Sequence, residues 1–307
     1  MKIKTEFLGI NFPSPLILPS GVFTTLNDFL NAQKKGAGGV TTKSYTRFPR
    51  QGNPQPVVAR FNHGFINSVG LRNVGIEKAL EDIKIFHEKL SIPVIISIFD
   101  VNINNFLFMI EKIIPLKPKF IELNLSCPNV DDEFGKPLGM GVESSYLVVK
   151  KVKELTGKET KIIAKLTPNV SNIKEIAKAV EEGGADAISA INTLGPGMLL
   201  DINTFKPKIG AKMGGVSGPA IFPVALRCIY EIYQTVKIPI IGMGGVSSWE
   251  DAVAMFLAGA SLVGVGSAIY FKGLDVFVKI NQGIENYLKE KNFSLINEVV
   301  GLAHKIN

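Results

Sequence analysis

The stretch FIELNLSCPN, Phe120 to Asn129, reads as a β-strand that ends in reactive chemistry. Ile121, Leu123 and Leu125 alternate with Glu122, Asn124 and Ser126, the period of two that a pleated segment shows when its two faces differ. One face is apolar; the other carries a carboxylate, an amide and a hydroxyl. Pro128 has no N–H to give to a ladder, so the strand stops there. Cys127 then sits at the strand end. Taken alone, it is read most simply as a buried free cysteine, since cysteine is a common core residue. What lies on either side changes that reading.

Moving outward, the chain alternates strand and helix patterns with little interruption. A hairpin is expected over residues 2–12, turning near Gly9-Ile10-Asn11. Strands are then expected at Leu16–Ser20, Gly38–Thr46, Pro93–Phe99, Phe120–Ser126, Lys161–Leu166, Ala187–Asn192, Pro239–Gly242 and Ser261–Val265. Helical periodicity fills most of the intervals: Leu26–Lys35, Gly75–Leu90, Asn104–Ile114, Val142–Leu155, Ile173–Glu182, Pro223–Val236 and Trp249–Ala258, with closing helices at Leu274–Glu290 and Ser294–Lys305. Alternating βα units imply a parallel sheet. Eight of them in a chain of 307 residues predict a closed (β/α)8 TIM barrel, with a doubly wound sheet as the other possibility. Two stretches, 47–73 and 194–219, break the rhythm with Gly, Pro, Asn and Arg and are read as irregular insertions. No linker divides the chain, so residues 1–307 are read as a single domain.

Composition sets the outer limits. Hydrophobic residues make up 46% of the chain, enough for one large core. The net charge is +7, but the basic residues are scattered, as at Lys34-Lys35 and Lys150-Lys151. No arginine-rich run with interleaved aromatics speaks for nucleic acid, and modest basicity suits an anionic small ligand. Cys127 and Cys228 are the only cysteines and no CxxC occurs, which argues against a zinc site or an iron–sulfur cluster within this chain. Two lone thiols, no signal-like N-terminus and no membrane-length apolar run point to a cytoplasmic protein with no membrane partner.

In a barrel of this kind the C-terminal strand ends face the active site. Here they carry Ser20-Gly21, Lys43 and Ser44, Asn124 and Cys127, Lys165, Asn192-Thr193, then Gly242-Met243-Gly244-Gly245 and Gly264-Val265-Gly266-Ser267. One lysine inside a strand is often simply exposed. Two, Lys43 and Lys165, suggest a site, because a buried ammonium is costly without an anion. The paired glycine ends of the last two strands suit a phosphate, since glycine lets backbone N–H groups approach its oxygens. Either glycine turn alone would be ordinary.

These residues together resemble the class 1 dihydroorotate dehydrogenases, nearer class 1B than 1A. The resemblance is carried by TKS (42–44), GNPQP (52–56), INSVGLRN (66–73), NLSCPN (124–129), AKLTPN (164–169), INT (191–193), GGVSGPA (214–220), IPIIGMGGV (238–246) and GVGSA (264–268). It implies an FMN-dependent oxidoreductase of pyrimidine (UMP) biosynthesis that converts dihydroorotate to orotate. By resemblance, Cys127 is the base that takes the C5 proton while hydride leaves C6 for flavin N5. FMN is then expected against Ser20, Lys43, Ser44, Asn124, Lys165, Ile191, Gly218, Gly244, Gly245, Gly266 and Ser267. Substrate is expected against Lys43, Asn67, Ser68, Val69, Gly70, Leu71, Asn124, Asn129, Asn192 and Thr193. Asparagines suit a pyrimidine edge because each amide both donates and accepts. Lys165 is expected beside the N1/O2 edge of the flavin. At Ser97 many relatives have Asn. The resemblance leaves two routes for the electrons: a small soluble oxidant entering the same site, as fumarate does in class 1A, or, favoured by the likeness to class 1B, a separate FAD/iron–sulfur electron-transfer subunit; a homo-oligomer is expected. No metal is expected. Two rival functions fit the same residues: a related flavoprotein acting on another dihydropyrimidine, and a phosphate-binding lyase that uses Lys43 or Lys165 as a Schiff base.

Overall fold

The computed structural model describes residues 3–126 and 138–305. Its elements run, in chain order, β1 (Thr5–Phe7), β2 (Ile10–Phe12), β3 (Leu16–Leu18), α1 (Leu26–Lys34), β4 (Gly39–Thr41), β5 (Val58–Phe61), β6 (Gly64–Asn67), α2 (Ile76–Lys89), β7 (Val94–Ile98), α3 (Ile103–Ile113) and β8 (Phe120–Asn124). They continue with α4 (Val142–Thr156), β9 (Lys161–Leu166), α5 (Ile173–Glu182), β10 (Ala187–Ala190), β11 (Leu194–Met198), β12 (Leu200–Asp201), β13 (Lys206–Pro207), β14 (Met213–Ser217), α6 (Phe222–Thr235), β15 (Ile240–Met243), α7 (Trp249–Leu257), β16 (Ala260–Gly264), α8 (Ala268–Lys272) and α9 (Asp275–Glu290). Strands β3, β4, β7, β8, β9, β10, β15 and β16 pair in that order, all parallel, and β16 returns to β3 to close the (β/α)8 barrel.

Alternation along each strand sorts the side chains. On β8, Ile121 and Leu123 point outward into the layer between sheet and helices, where they join Ile96 and Ile98 of β7 and Ile162 and Ala164 of β9. Phe120 points inward, to a second apolar cluster with Ile95, Ile163, Ala187 and Leu262. Ile17 of β3 and Ile241 and Met243 of β15 join it, and the β1–β2 hairpin adds Phe7 and Phe12. Phe7 and Phe12 lie edge to face at 6.0 Å, and each ring centroid is about one ring diameter from Phe120, at 6.0 and 5.8 Å. Gly39 opens β4 beneath this plug, and a Cβ there would fall 2.8 Å from the Phe12 ring.

The helices start where their caps allow. Thr25, Asn102 and Asn172 each accept a backbone N–H of the first turn, and Ser248 with Asp251 forms a complete capping box on α7. Outward-facing apolar strand residues then pack on the buried stripes of these helices, such as Phe106, Met109, Ile110 and Ile113 of α3.

Two expectations differ from what forms. Residues 294–305 make two short 3-10 turns, Ile296–Glu298 and Leu302–His304, and no closing helix. Gly301 between them takes φ +73°, and a Cβ there would collide with the Tyr233 ring, so the segment is shaped to that ring and not to a helical ladder. The two stretches read as irregular are also ordered into strands. β5 and β6 form a hairpin, β14 pairs with β6, and β11 pairs with β14, giving a four-stranded antiparallel sheet built from both excursions.

Candidate active site

The strand alternation that sends Phe120 to one end of the barrel sends Glu122 and Asn124 progressively toward the other. Asn124 is in register with Lys165 of β9, and Lys165 with Ser189 of β10, so three polar side chains meet on the inner wall. Above them a cavity of about 350 Å³ opens at the C-terminal strand ends. It is lined by Ser20, Lys43, Ser44, Asn67, Val69, Gly70, Leu71, Asn124, Lys165, Ile191, Asn192, Thr193, Gly244, Gly245, Gly266 and Ser267, all of them expected from the sequence.

Two expected residues do not reach it. Ser68 is buried between Asn67 and Val69, which do line the cavity, and its Oγ accepts from Asn53 Nδ2 at 2.8 Å. Gly218 lies against Gly64, where a Cβ would sit 2.6 Å from the Gly64 Cα, and its neighbour Ser217 lines the wall instead. Cys127 and Asn129 lie outside the described residues. Cys228, the other cysteine, is buried on α6 away from the cavity, and burial raises its thiol pKa despite the neighbouring Arg227. A buried, hard-to-ionise thiol is a poor base.

Sequence reading missed part of the wall. Val58 and Phe65 come from the β5–β6 hairpin and Tyr270 from α8. Phe65 and Tyr270 meet edge to face at 5.7 Å, and the Tyr270 hydroxyl donates to the Val22 carbonyl at 3.1 Å. Nothing local marks these residues, because the four-stranded sheet alone brings the hairpin to the barrel mouth.

The polar wall is tied together by hydrogen bonds. Asn124 Nδ2 donates to Ser44 Oγ at 3.0 Å, and its Oδ1 accepts from the Ser126 hydroxyl at 2.9 Å. Asn192 Nδ2 donates to Ser126 Oγ at 2.8 Å. Asn169 Nδ2 donates to the Thr193 carbonyl at 3.2 Å, while its Oδ1 accepts from the Gly195 N–H at 2.9 Å. Deeper in, Ser97 Oγ and Ser189 Oγ donate to the two oxygens of Glu122 at 3.0 and 2.9 Å. The nearer oxygen is 4.0 Å from Lys165 Nζ. Lys165 is 5% exposed and Glu122 2%, so this is a buried pair. It supplies the anion that a buried lysine requires. Glu122 was visible in the alternating face of β8, yet only its neighbours were singled out from sequence.

A flavin cofactor fits these donors and this shape. Gly244 and Gly245 take φ +123° and +79°, and a Cβ on Gly245 would strike the Phe222 backbone at 2.7 Å, so the chain turns there without side chains in the way. A Cβ on Gly21, at φ +87°, would project to within 3.7 Å of Lys43 Nζ, beside the cavity that both residues line. Apolar wall from Val22, Leu71, Ile191, Ile221 and Met243 alternates with the amides and lysines, the usual make-up of a cofactor pocket. Among the described residues no group of three or more His, Cys, Asp or Glu is placed to hold a metal ion, and no described helix is long and apolar enough to cross a membrane.

Comparison with known proteins agrees with this geometry. The family model described as dihydroorotate dehydrogenase matches residues 2–288. The chain is 46% identical to the dihydroorotate dehydrogenase B (NAD(+)) catalytic subunit of Pyrococcus furiosus, covering 100% of both chains. Against the protein of the same description from Pyrococcus abyssi it is 44% identical over 99% of this chain and 100% of the relative. Against that from Methanothermobacter thermautotrophicus it is 41% identical over 98% of each. Matched along nearly its whole length by both the family model and these relatives, the chain belongs to the dihydroorotate dehydrogenase family.

Proposed function

We propose that the chain is the FMN-binding catalytic subunit of a dihydroorotate dehydrogenase of the B type, acting as one domain and as a homo-oligomer in the cytoplasm. The family is flavin-dependent and oxidises dihydroorotate in pyrimidine biosynthesis. The observation that carries the reading for this chain is the convergence of Lys43, Lys165, Asn67, Asn124 and Asn192 on one cavity walled by the glycine strand ends.

In this reading Asn67, Asn124 and Asn192 hold the pyrimidine by its alternating C=O and N–H edge, with Asn129 and the Val69–Leu71 turn completing the grip. Cys127, on the segment following β8, accepts the proton from C5. Loss of hydride from C6 leaves the C5–C6 double bond of orotate. Bound FMN would supply the acceptor for that hydride. Gly244, Gly245, Gly266 and Ser267 hold its phosphate with backbone N–H groups. Lys165 places positive charge at the ring edge where electron density gathers, and Lys43 contacts both ligands. Electrons then leave through a separate subunit carrying FAD and an iron–sulfur cluster. Two supports favour that partner: the relatives named above are described as catalytic subunits of NAD(+)-linked enzymes, and this chain has only two cysteines.

The test uses the purified chain, without oxygen. It should carry FMN and be bleached by dihydroorotate and not by dihydrouracil. It should pass electrons to artificial dyes, with NAD inert and fumarate poor. A colourless chain that gains no flavin spectrum with FMN rejects the reading, and bleaching by dihydrouracil alone moves it to another dihydropyrimidine. Rapid fumarate-dependent turnover by the chain alone rejects the partner.

A further inference from the structure

Among the described residues Glu122 is the carboxylate paired with Lys165 in the polar wall, and the way it is held is informative. Its Oε1 accepts from Ser97 of β7 and its Oε2 from Ser189 of β10, so hydroxyls from both flanks of the β8–β9 pair grip it. A carboxylate only accepts, and a serine hydroxyl has one proton. With that proton given to Glu122, the 2.9 Å contact between Ser97 and Ser44 must be donated by Ser44. Ser44 in turn accepts from Asn124 Nδ2 at 3.0 Å and, having spent its proton, accepts from Ser20 at 3.3 Å. Every donor in this relay points toward the Glu122 carboxylate.

The relay begins at cavity-lining residues and ends on the anion beside Lys165. The ammonium stands 4.0 Å from Glu122 Oε1, near enough for strong attraction in a buried setting and far enough to leave its protons for the cavity. As a stabilising device such a pair is a weak choice, because burying two ions costs about what their attraction returns.

We propose that Glu122 is a positioning residue: a fixed buried carboxylate that holds the Lys165 ammonium at the base of the cavity, offsets part of its charge, and so sets how readily the bound flavin is reduced. The proposal rests on the reading that FMN binds beside Lys165. Ser97 then serves, with Ser189, as one of the two clamps that keep the carboxylate in place.

The experiment measures the two-electron midpoint potential and the FMN dissociation constant of the purified chain and its variants. Glu122→Gln keeps the shape and removes the charge. The full Lys165 cation then favours the reduced, more negative flavin, and the reduction equilibrium should shift at least tenfold toward it, about 30 mV upward. In a Lys165→Met background there is no ammonium for the carboxylate to hold or offset. Glu122→Gln added there should change the equilibrium by less than threefold. Ser189→Ala withdraws one of the two hydroxyls from the carboxylate, and a less well held charge offsets less. It should shift the equilibrium in the same direction as Glu122→Gln by at least threefold, and it decides the matter if Glu122→Gln does not fold. An unchanged potential in Glu122→Gln overturns the proposal, as does an equal shift with and without Lys165, because Glu122 would then not act through it. A parent chain that binds no FMN fails earlier and removes the functional reading together with this one, whereas normal binding with unmoved potentials removes this one alone.

Discussion

At one end of the barrel the β1–β2 hairpin lays Phe7 and Phe12 on Phe120, and they pack with Ile17, Ile95, Ile163, Ala187 and Leu262 in one apolar cluster. At the other, Ser44, Asn124, Ser126 and Asn192 form a hydrogen-bonded wall under a cavity open to ligand. Strand β8 joins the two ends, carrying Phe120, Glu122 and Asn124 on one face over five residues. The physical difference is what satisfies each end. The plug satisfies itself, through area removed from water and ring contacts worth about 0.5–1.5 kcal/mol per pair. The polar wall only partly satisfies itself and keeps directed donors and acceptors for something else. Substitutions at the plug should therefore act on stability, and substitutions at the mouth on chemistry.

Cys127→Ala tests the proposed chemistry with the largest expected effect. It removes the assigned base and leaves the FMN contacts, so FMN should stay bound while its reduction by dihydroorotate slows by about 10²–10⁴-fold. Stopped-flow bleaching at 450 nm or so reads the rate directly, and Cys127→Ser should also be slow at neutral pH because a hydroxyl is a far weaker acid than a thiol. An unchanged rate in Cys127→Ala removes the assignment.

Phe120→Ala tests the plug. Phe120 is fully buried and touches both hairpin rings, so truncation should cost about 3–5 kcal/mol of unfolding free energy. Well below the lowered melting temperature, FMN affinity and flavin reduction should match the parent. If FMN affinity falls in the folded variant, the two ends are mechanically coupled and the division drawn above is wrong.

The division was partly legible in the sequence. The period of two over 120–126 gave β8 and its two faces, and the same logic located the eight barrel strands to within a few residues at most ends. Gly38–Thr46 is the clearest excess: β4 stops at Thr41, and Lys43 and Ser44 stand beyond it, where the chain leaves the ladder for the mouth. The sheet that roofs the cavity was not legible. LGPGM and MGGVS carry no strand-like alternation, and β14 reaches β6 across a pairing such as Gly215 with Asn67, far apart in sequence. Such a pairing is fixed by the closed barrel and not by local propensity. Glu122 was different. Its face is legible in the alternation of β8, and a lysine inside a strand needs an anion, but only the adjacency of β8 and β9 joins the two.

Ser44→Ala gives the smallest effect and the sharpest test of where the plug's logic ends, because Ser44 belongs to both descriptions. It lines the cavity and is 2% exposed, like a core residue. Its hydroxyl serves Ser20, Ser97 and Asn124 together. Removing it leaves the Asn124 Nδ2 donor and the Ser97 hydroxyl each short of one partner in a place water reaches poorly. Stranded buried polar groups cost more than the bond that was lost, about 1–3 kcal/mol. Access from the cavity lets one water replace part of this, so about 1–2 kcal/mol of stability is expected in the ligand-free chain by denaturant titration. FMN affinity should fall with it, by less than about tenfold, since tenfold corresponds to about 1.4 kcal/mol. A stability loss with unchanged FMN affinity would assign Ser44 to the supporting layer alone. A loss of affinity with unchanged stability would mean that the hydrogen-bond relay below it stands without its hydroxyl, and that the boundary between plug and mouth lies deeper, at Ser97 and Glu122.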